Sequence, residues 1–104
     1  METLDIPKAV KQAVQRVDPT ATVILYGSRA RGDARPDSDW DFIVLIDGPA
    51  GGSQEDAIRG AIYAIEWTTG QVLTVILHSR ADWDTPMYQA TPFQRNVARE
   101  GMLL

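Results

Sequence analysis

The chain has 104 residues, a formal net charge of −4, 44% hydrophobic residues and 23% charged ones. That balance is ordinary for a folded domain, and the absence of cysteine removes disulfides, thiolate catalysis and thiolate-held zinc together. An acidic total argues against general nucleic-acid binding, which wants a basic face, and the longest apolar runs, residues 42–46 and 72–77, are too short to cross a bilayer. The polar, mixed-charge start METLDIPKAVKQ does not read as a secretory leader. One domain over residues 1–104, in the cytoplasm and without a membrane partner, is the expectation.

Residues 6–17 predict a helix, with Val10, Ala13, Val14 and Val17 at helical spacing and Pro7 suited to a first turn. Asp18-Pro19 ends it, because a residue before proline disfavours the helical basin. Residues 22–26 are β-branched and apolar and predict a first strand, broken by Gly27-Ser28. A polar, arginine-rich connection then runs to Ser38. Residues 39–46 predict a second strand, with Asp39, Asp41, Ile43 and Leu45 on one face and Trp40, Phe42, Val44 and Ile46 on the other.

Residues 47–53 carry three glycines and a proline and predict a loop; Ser53 with Asp56 resembles a helix start. Ile58, Ala61, Ile62 and Ile65 form a helical stripe, which Gly70 can stop. Residues 72–77, nearly all apolar, predict a third strand, central or buried on both faces. Residues 79–83 suit a single turn, and Thr91-Pro92 opens a last short helix that Gly101 closes. The expected fold class is α/β (α+β): a small mixed sheet of three to four strands flanked by helices.

The chemistry concentrates in residues 27–41. A glycine-serine pair ends one apolar strand, and two aspartates separated by one residue begin the next. A hairpin-like return would bring these ends together. Asp39 and Asp41, at i and i+2 on a strand, project to one side roughly 6.5–7 Å apart at the backbone. Paired carboxylates suit Mg²⁺, which prefers them together with substrate phosphates and retained waters. Gly27 lets the backbone approach a phosphate with no Cβ in the way, and the Ser28 hydroxyl and neighbouring N–H groups can bond phosphate oxygens. Arg29, Arg31 and Arg35, within seven residues, add positive charge for a polyanionic substrate. Their plainer reading is a solvated loop paired with Asp33 and Asp37.

The run GSRARGDARPDSDWD resembles the signature of the DNA polymerase β-type nucleotidyltransferase superfamily: Gly-Ser, ten residues, then Asp-x-Asp. The Ala-Arg-Gly after Ser28 is similar to the minimal bacterial branch, the MNT or MntA-like proteins. The element order extends the likeness to most of the chain. The resemblance implies ATP or another nucleoside triphosphate as donor, with Gly27 and Ser28 on its phosphates. It implies one or two Mg²⁺ ions held by Asp39 and Asp41. It also implies an acceptor hydroxyl on a partner HEPN-domain toxin, which the MNT antitoxin AMPylates, so a homo- or hetero-oligomer is expected.

The family's third carboxylate belongs on the third strand, where this chain has Thr74. A threonine can hold a water but cannot neutralise a divalent cation or take a proton at neutral pH. Two expectations therefore stand side by side: an active transferase, and a degenerate nucleotide- or partner-binding module. Asp33, Asp37 and Glu66 lack the spacing of a third ligand. His78, Tyr63, Tyr88 and Trp40 are expected to be structural, while Trp67 and Trp83 are expected either to pack or to anchor an interface.

Overall fold

Helix α1 (Ile6–Val17) starts where the Asp5 carboxylate accepts the Lys8 N–H at 3.2 Å, with Pro7 in the first turn. It ends at Asp18, as the Asp-Pro pair requires. The Asp18 carboxylate is buried and accepts hydrogen bonds from the Thr20 N–H, the Thr20 hydroxyl and the Gln54 amide. Those bonds, the Thr20 hydroxyl above all, hold its pKa below the ordinary value. The computed structural model describes residues 5–49 and 51–104, so residues 1–4 of the expected domain and residue 50 of the expected loop lie outside it.

Strand β1 (Thr22–Tyr26) is followed by a one-turn helix, α2 (Ser28–Arg31), and then by β2 (Trp40–Ile46). Helix α3 (Gly52–Thr69) leads to β3 (Leu73–Ser79). Three short helices, α4 (Arg80–Trp83), α5 (Pro86–Gln89) and α6 (Pro92–Glu100), precede β4 (Met102–Leu103). The sheet order is β3-β2-β1-β4, with β1 antiparallel to both neighbours and β2 parallel to β3. The mixed sheet flanked by helices is the expected architecture. Among the described residues no helix is long and apolar enough to cross a membrane.

The alternation predicted for β2 separates the two cores. Phe42, Val44 and Ile46 join Val10 and Val14 of α1, Val23 and Leu25 of β1, and Ile58 and Ile62 of α3. Ile43 and Leu45 point the other way, against Trp83 of α4 and Val97 of α6. All five residues from Phe42 to Ile46 are buried, each side chain worth roughly 1.5–3 kcal/mol on removal from water.

Several sequence expectations are corrected. Strand β3 is an edge strand, not a central one, and Val72 and Thr74 are exposed. Apolar side chains report what covers the two faces of a strand, whereas edge position concerns the perpendicular hydrogen-bonding direction. Two side chains of α3 occupy the outer edge instead: the Leu73 N–H donates to Glu66 at 3.1 Å, and Arg59 donates to the Val75 carbonyl at 3.1 Å. The connection after Gly27 contains α2, and α3 begins at Gly52 rather than at Ser53. Asp39 precedes β2 instead of opening it. Tyr63 is exposed rather than packed. Helix α5 and strand β4 had no expectation.

Strand β4 depends on Gly101. A Cβ there would lie 2.5 Å from the Val97 carbonyl and 2.9 Å from Ile24 Cγ2. The bare backbone lets the chain turn from α6 onto β1, where Met102 and Leu103 pair with Leu25 and Ile24. Replacing Gly101 by alanine is expected to lower the unfolding free energy by about 1–3 kcal/mol. A urea titration should show it as a lower midpoint at unchanged slope.

Candidate functional site

Strand pairing brings the two halves of the signature together. Tyr26, the last residue of β1, pairs with Asp41 of β2, so Gly27 emerges beside the Asp41 carboxylate. Gly27 has φ +79°, a conformation that suits glycine alone. A Cβ on it would stand 2.6 Å from Asp41 Oδ2. The backbone angle selects glycine at this position, and the absence of a Cβ lets the Asp41 carboxylate lie close against it. The Gly27 carbonyl then accepts from the N–H groups of Ala30 and Arg31, which closes the turn of α2. Gly32, at φ +83°, ends it through its N–H to the Ser28 carbonyl at 3.0 Å.

Across the other edge of β2, Asp41 pairs with Thr74 of β3. Partners in parallel register share a sheet face, so Thr74 lies on the face of Asp41. This is the position where the sequence reading set a missing acid. Among the described residues no group of three or more His, Asp or Glu side chains is placed to hold a metal ion. Asp33, exposed, pairs with Arg31 at 3.3 Å, and Glu66 caps Leu73, so neither stands in for it.

Burial, and then the charge of Asp39, push the Asp41 carboxyl above its usual range. Tyr26 is raised as well, by burial and then by the Asp41 charge. Among the described residues neither Asp39 nor Asp41 forms a salt bridge. An anionic pair without a cationic partner, set against a glycine, fits the chemistry of a divalent cation completed by substrate oxygens.

The arginines divide. Arg29 turns to the opposite face of β2, where its Cζ stands 4.3 Å from the Trp40 ring centroid. Its Nη2 donates to the carbonyls of Pro36 (3.2 Å) and Ser38 (2.9 Å). It therefore ties α2 to the segment that delivers Asp39. Arg31 stays on the Gly27 side and bridges Asp33 and Glu100, the latter at 3.5 Å. Arg35 is exposed, its N–H donating to Ser38 Oγ at 2.8 Å. The structure thus brings Gly27, Ser28, Asp39, Asp41, Thr74 and Arg31 to one end of the sheet, and Arg29 to its back.

One wall of the site had no expectation. Tyr26, Gly27 and Arg31 face Phe93, Asn96, Val97 and Glu100 of α6 across a cleft of about 210 Å³. Phe93 packs edge-on against Tyr26, ring centroids 5.6 Å apart, and so fixes α6 beside the turn. Residues 93, 96, 97 and 100 form a stripe at helical spacing, which is visible in sequence. Its destination is not, because nothing local links α6 to β1. His78 is structural as expected: its Nε2 lies 2.9 Å from the Tyr88 hydroxyl, and its ring packs on buried Trp83.

The family model described as Nucleotidyltransferase domain matches residues 6–103, and the chain belongs to that family. That span fits a minimal nucleotidyltransferase of the DNA polymerase β-type superfamily. No curated protein matches the chain.

The Asp41 shift has a consequence for stability. Its folded pKa lies above the unfolded one, so the folded state holds the proton more tightly. The stability this contributes is complete below the unfolded pKa and is lost as pH rises through the folded pKa. With a chelator present, Asp41→Asn should therefore melt above wild type near neutral pH, and the gap should close below the carboxylate range. Equal melting temperatures near neutral pH would refute the account.

Proposed function

We propose that the chain transfers a nucleotidyl group, AMP from ATP, to a hydroxyl on a partner HEPN-type toxin, as an MntA-like antitoxin. The observation that carries this reading is the close approach of Gly27 to Asp41 at the end of paired strands, which sets a glycine turn beside two carboxylates. Asp39 and Asp41 would hold Mg²⁺, which, when bound, offsets charge on the triphosphate oxygens. Gly27 leaves room for a phosphate at the backbone, and Ser28 offers it a hydroxyl. Arg31 adds positive charge on the same side. In the reaction the acceptor oxygen bonds the α-phosphorus, the bond to pyrophosphate breaks, and the hydroxyl proton passes to solvent water.

The cleft beside Gly27, at about 210 Å³, is smaller than the usual ligand pocket of roughly 300–1,000 Å³. That supports an acceptor presented by another chain, which would supply the missing wall. The partner's identity rests on the likeness of residues 27–41 to the minimal branch. Transfer of label from ATP to a HEPN-type protein, with pyrophosphate release, is the direct assay. Asp39→Asn and Asp41→Asn should each lower the rate by about 10²–10³-fold. Unchanged rates in both variants would end the enzyme reading.

A second reading, a degenerate nucleotide- or partner-binding antitoxin, is favoured by the exposed Thr74 beside Asp41. Thr74→Asp separates the two. If the missing acid limits an active enzyme, this variant should gain about tenfold or more in transfer rate. A complex with the partner that survives Asp39→Asn, with no transfer from wild type or Thr74→Asp, would support the binding module.

A further inference from the structure

Asp39 lies outside the ladder that fixes Asp41. Its neighbour Trp40 opens β2 and pairs with Leu73 on the β3 side. On the other side β1 has already ended at Tyr26, the partner of Asp41. Continuing that antiparallel register would set Asp39 opposite Ser28, which is coiled into α2 instead. Asp39 is also exposed and forms no salt bridge among the described residues. A carboxylate with so little support of its own is aimed by whatever holds its neighbours.

One side chain holds both neighbours. Arg29 Nη2 donates to the carbonyl of Ser38, the residue before Asp39, at 2.9 Å, and to that of Pro36 at 3.2 Å. The same guanidinium lies over the ring of Trp40, the residue after Asp39, with Cζ 4.3 Å from the centroid. The Trp40 ring is pinned in turn by its Nε1, which donates to Gln71 Oε1 at 3.4 Å. Arg29 stands in α2 one residue from Ser28 and two from Gly27, so the glycine turn and Asp39 are fastened to the same one-turn helix. Arg29 Nε is buried without a hydrogen-bond partner among the described residues, a cost of laying the plane on the indole while Nη2 reaches two carbonyls. Stacking and forked donation at once belong to a planar guanidinium; an ammonium is a point charge and offers neither.

We propose that Arg29 is a positioning residue, which sets the Asp39 carboxylate for a divalent cation from behind the sheet and does not act on the substrate phosphates. The proposal rests on the reading of Asp39 and Asp41 as cation ligands and deepens it, since α2 then builds half of the cation site as well as the phosphate turn. Positioning and charge predict opposite signs. Removing a positive charge near two carboxylates tightens cation binding by electrostatics alone, whereas losing the alignment of Asp39 loosens it.

Amide hydrogen exchange on the metal-free chain, joined to Mn²⁺ titration followed by electron paramagnetic resonance, tests this on Arg29→Lys and Arg29→Gln. Arg35→Gln is the control: it removes a charge from the same connection, and Arg35 enters the turn to Ser38 only through its backbone. The reporters are the Ser38 N–H, bonded to the Arg35 carbonyl at 3.0 Å, and the Trp40 N–H, bonded to the Val72 carbonyl at 2.9 Å. Both Arg29 variants should exchange these amides about tenfold faster or more, with the amides of α1 and α3 unchanged. Both should also raise the Mn²⁺ dissociation constant by about tenfold, and Arg35→Gln should do neither. Wild-type exchange at Ser38 and Trp40 in the Arg29 variants overturns the proposal whatever the chain catalyses. So does Mn²⁺ binding that tightens in Arg29→Gln, or an Arg29→Lys chain that matches wild type, because charge alone then suffices. A wild type that binds no Mn²⁺ ends the cation reading of Asp39 and Asp41, and this proposal with it.

Discussion

Strand β2 is buried without interruption from Phe42 to Ile46, and just before that run stand Asp41, half-buried, and Asp39, exposed. That change, at the start of β2, sets the register of the whole sheet. A slip by one residue would send Asp41 toward the core beneath α1 and α3 and bring Phe42 to the opposite side. An unpaired carboxylate in that core would be costly. Only the observed register pairs Tyr26 with Asp41 and Asp41 with Thr74, and so assembles the site.

The arrangement opposes folding locally. Asp41 is half-buried beside another aspartate, touches a glycine and has no cation among the described residues. The cores on the two sides of β2 hold it there, and a bound cation would relieve the repulsion. Thr74 moderates the same conflict, because a third carboxylate at that position would add another like charge. The cost of that moderation falls on the affinity for a cation and on the chemistry of proton removal.

Helices α1 and α3 build the larger core, while α4, α5 and α6 cover the face that ends in Asp41. The site therefore depends on the chain's last quarter as well as on its signature. Phe93 and Val97 anchor α6, Gly101 lets it turn, and β4 ties it to β1.

Local structure was legible wherever consecutive residues encode it. Helix α1, strand β1, the faces of β2 and the stops at Gly70 and Gly101 follow from periodicity, caps and proline, which act over a few residues. The carboxylate pair and the glycine were readable for the same reason, whereas Thr74 was marked by the family resemblance alone, and the sheet register set it opposite Asp41. The sequence could not place β3 at the sheet edge, because side chains alternate perpendicular to the hydrogen bonds that define an edge. Nor could it turn Arg29 to the back of β2 or set α6 against Tyr26. Those outcomes depend on which surfaces meet once both cores close, and only the tertiary structure decides that.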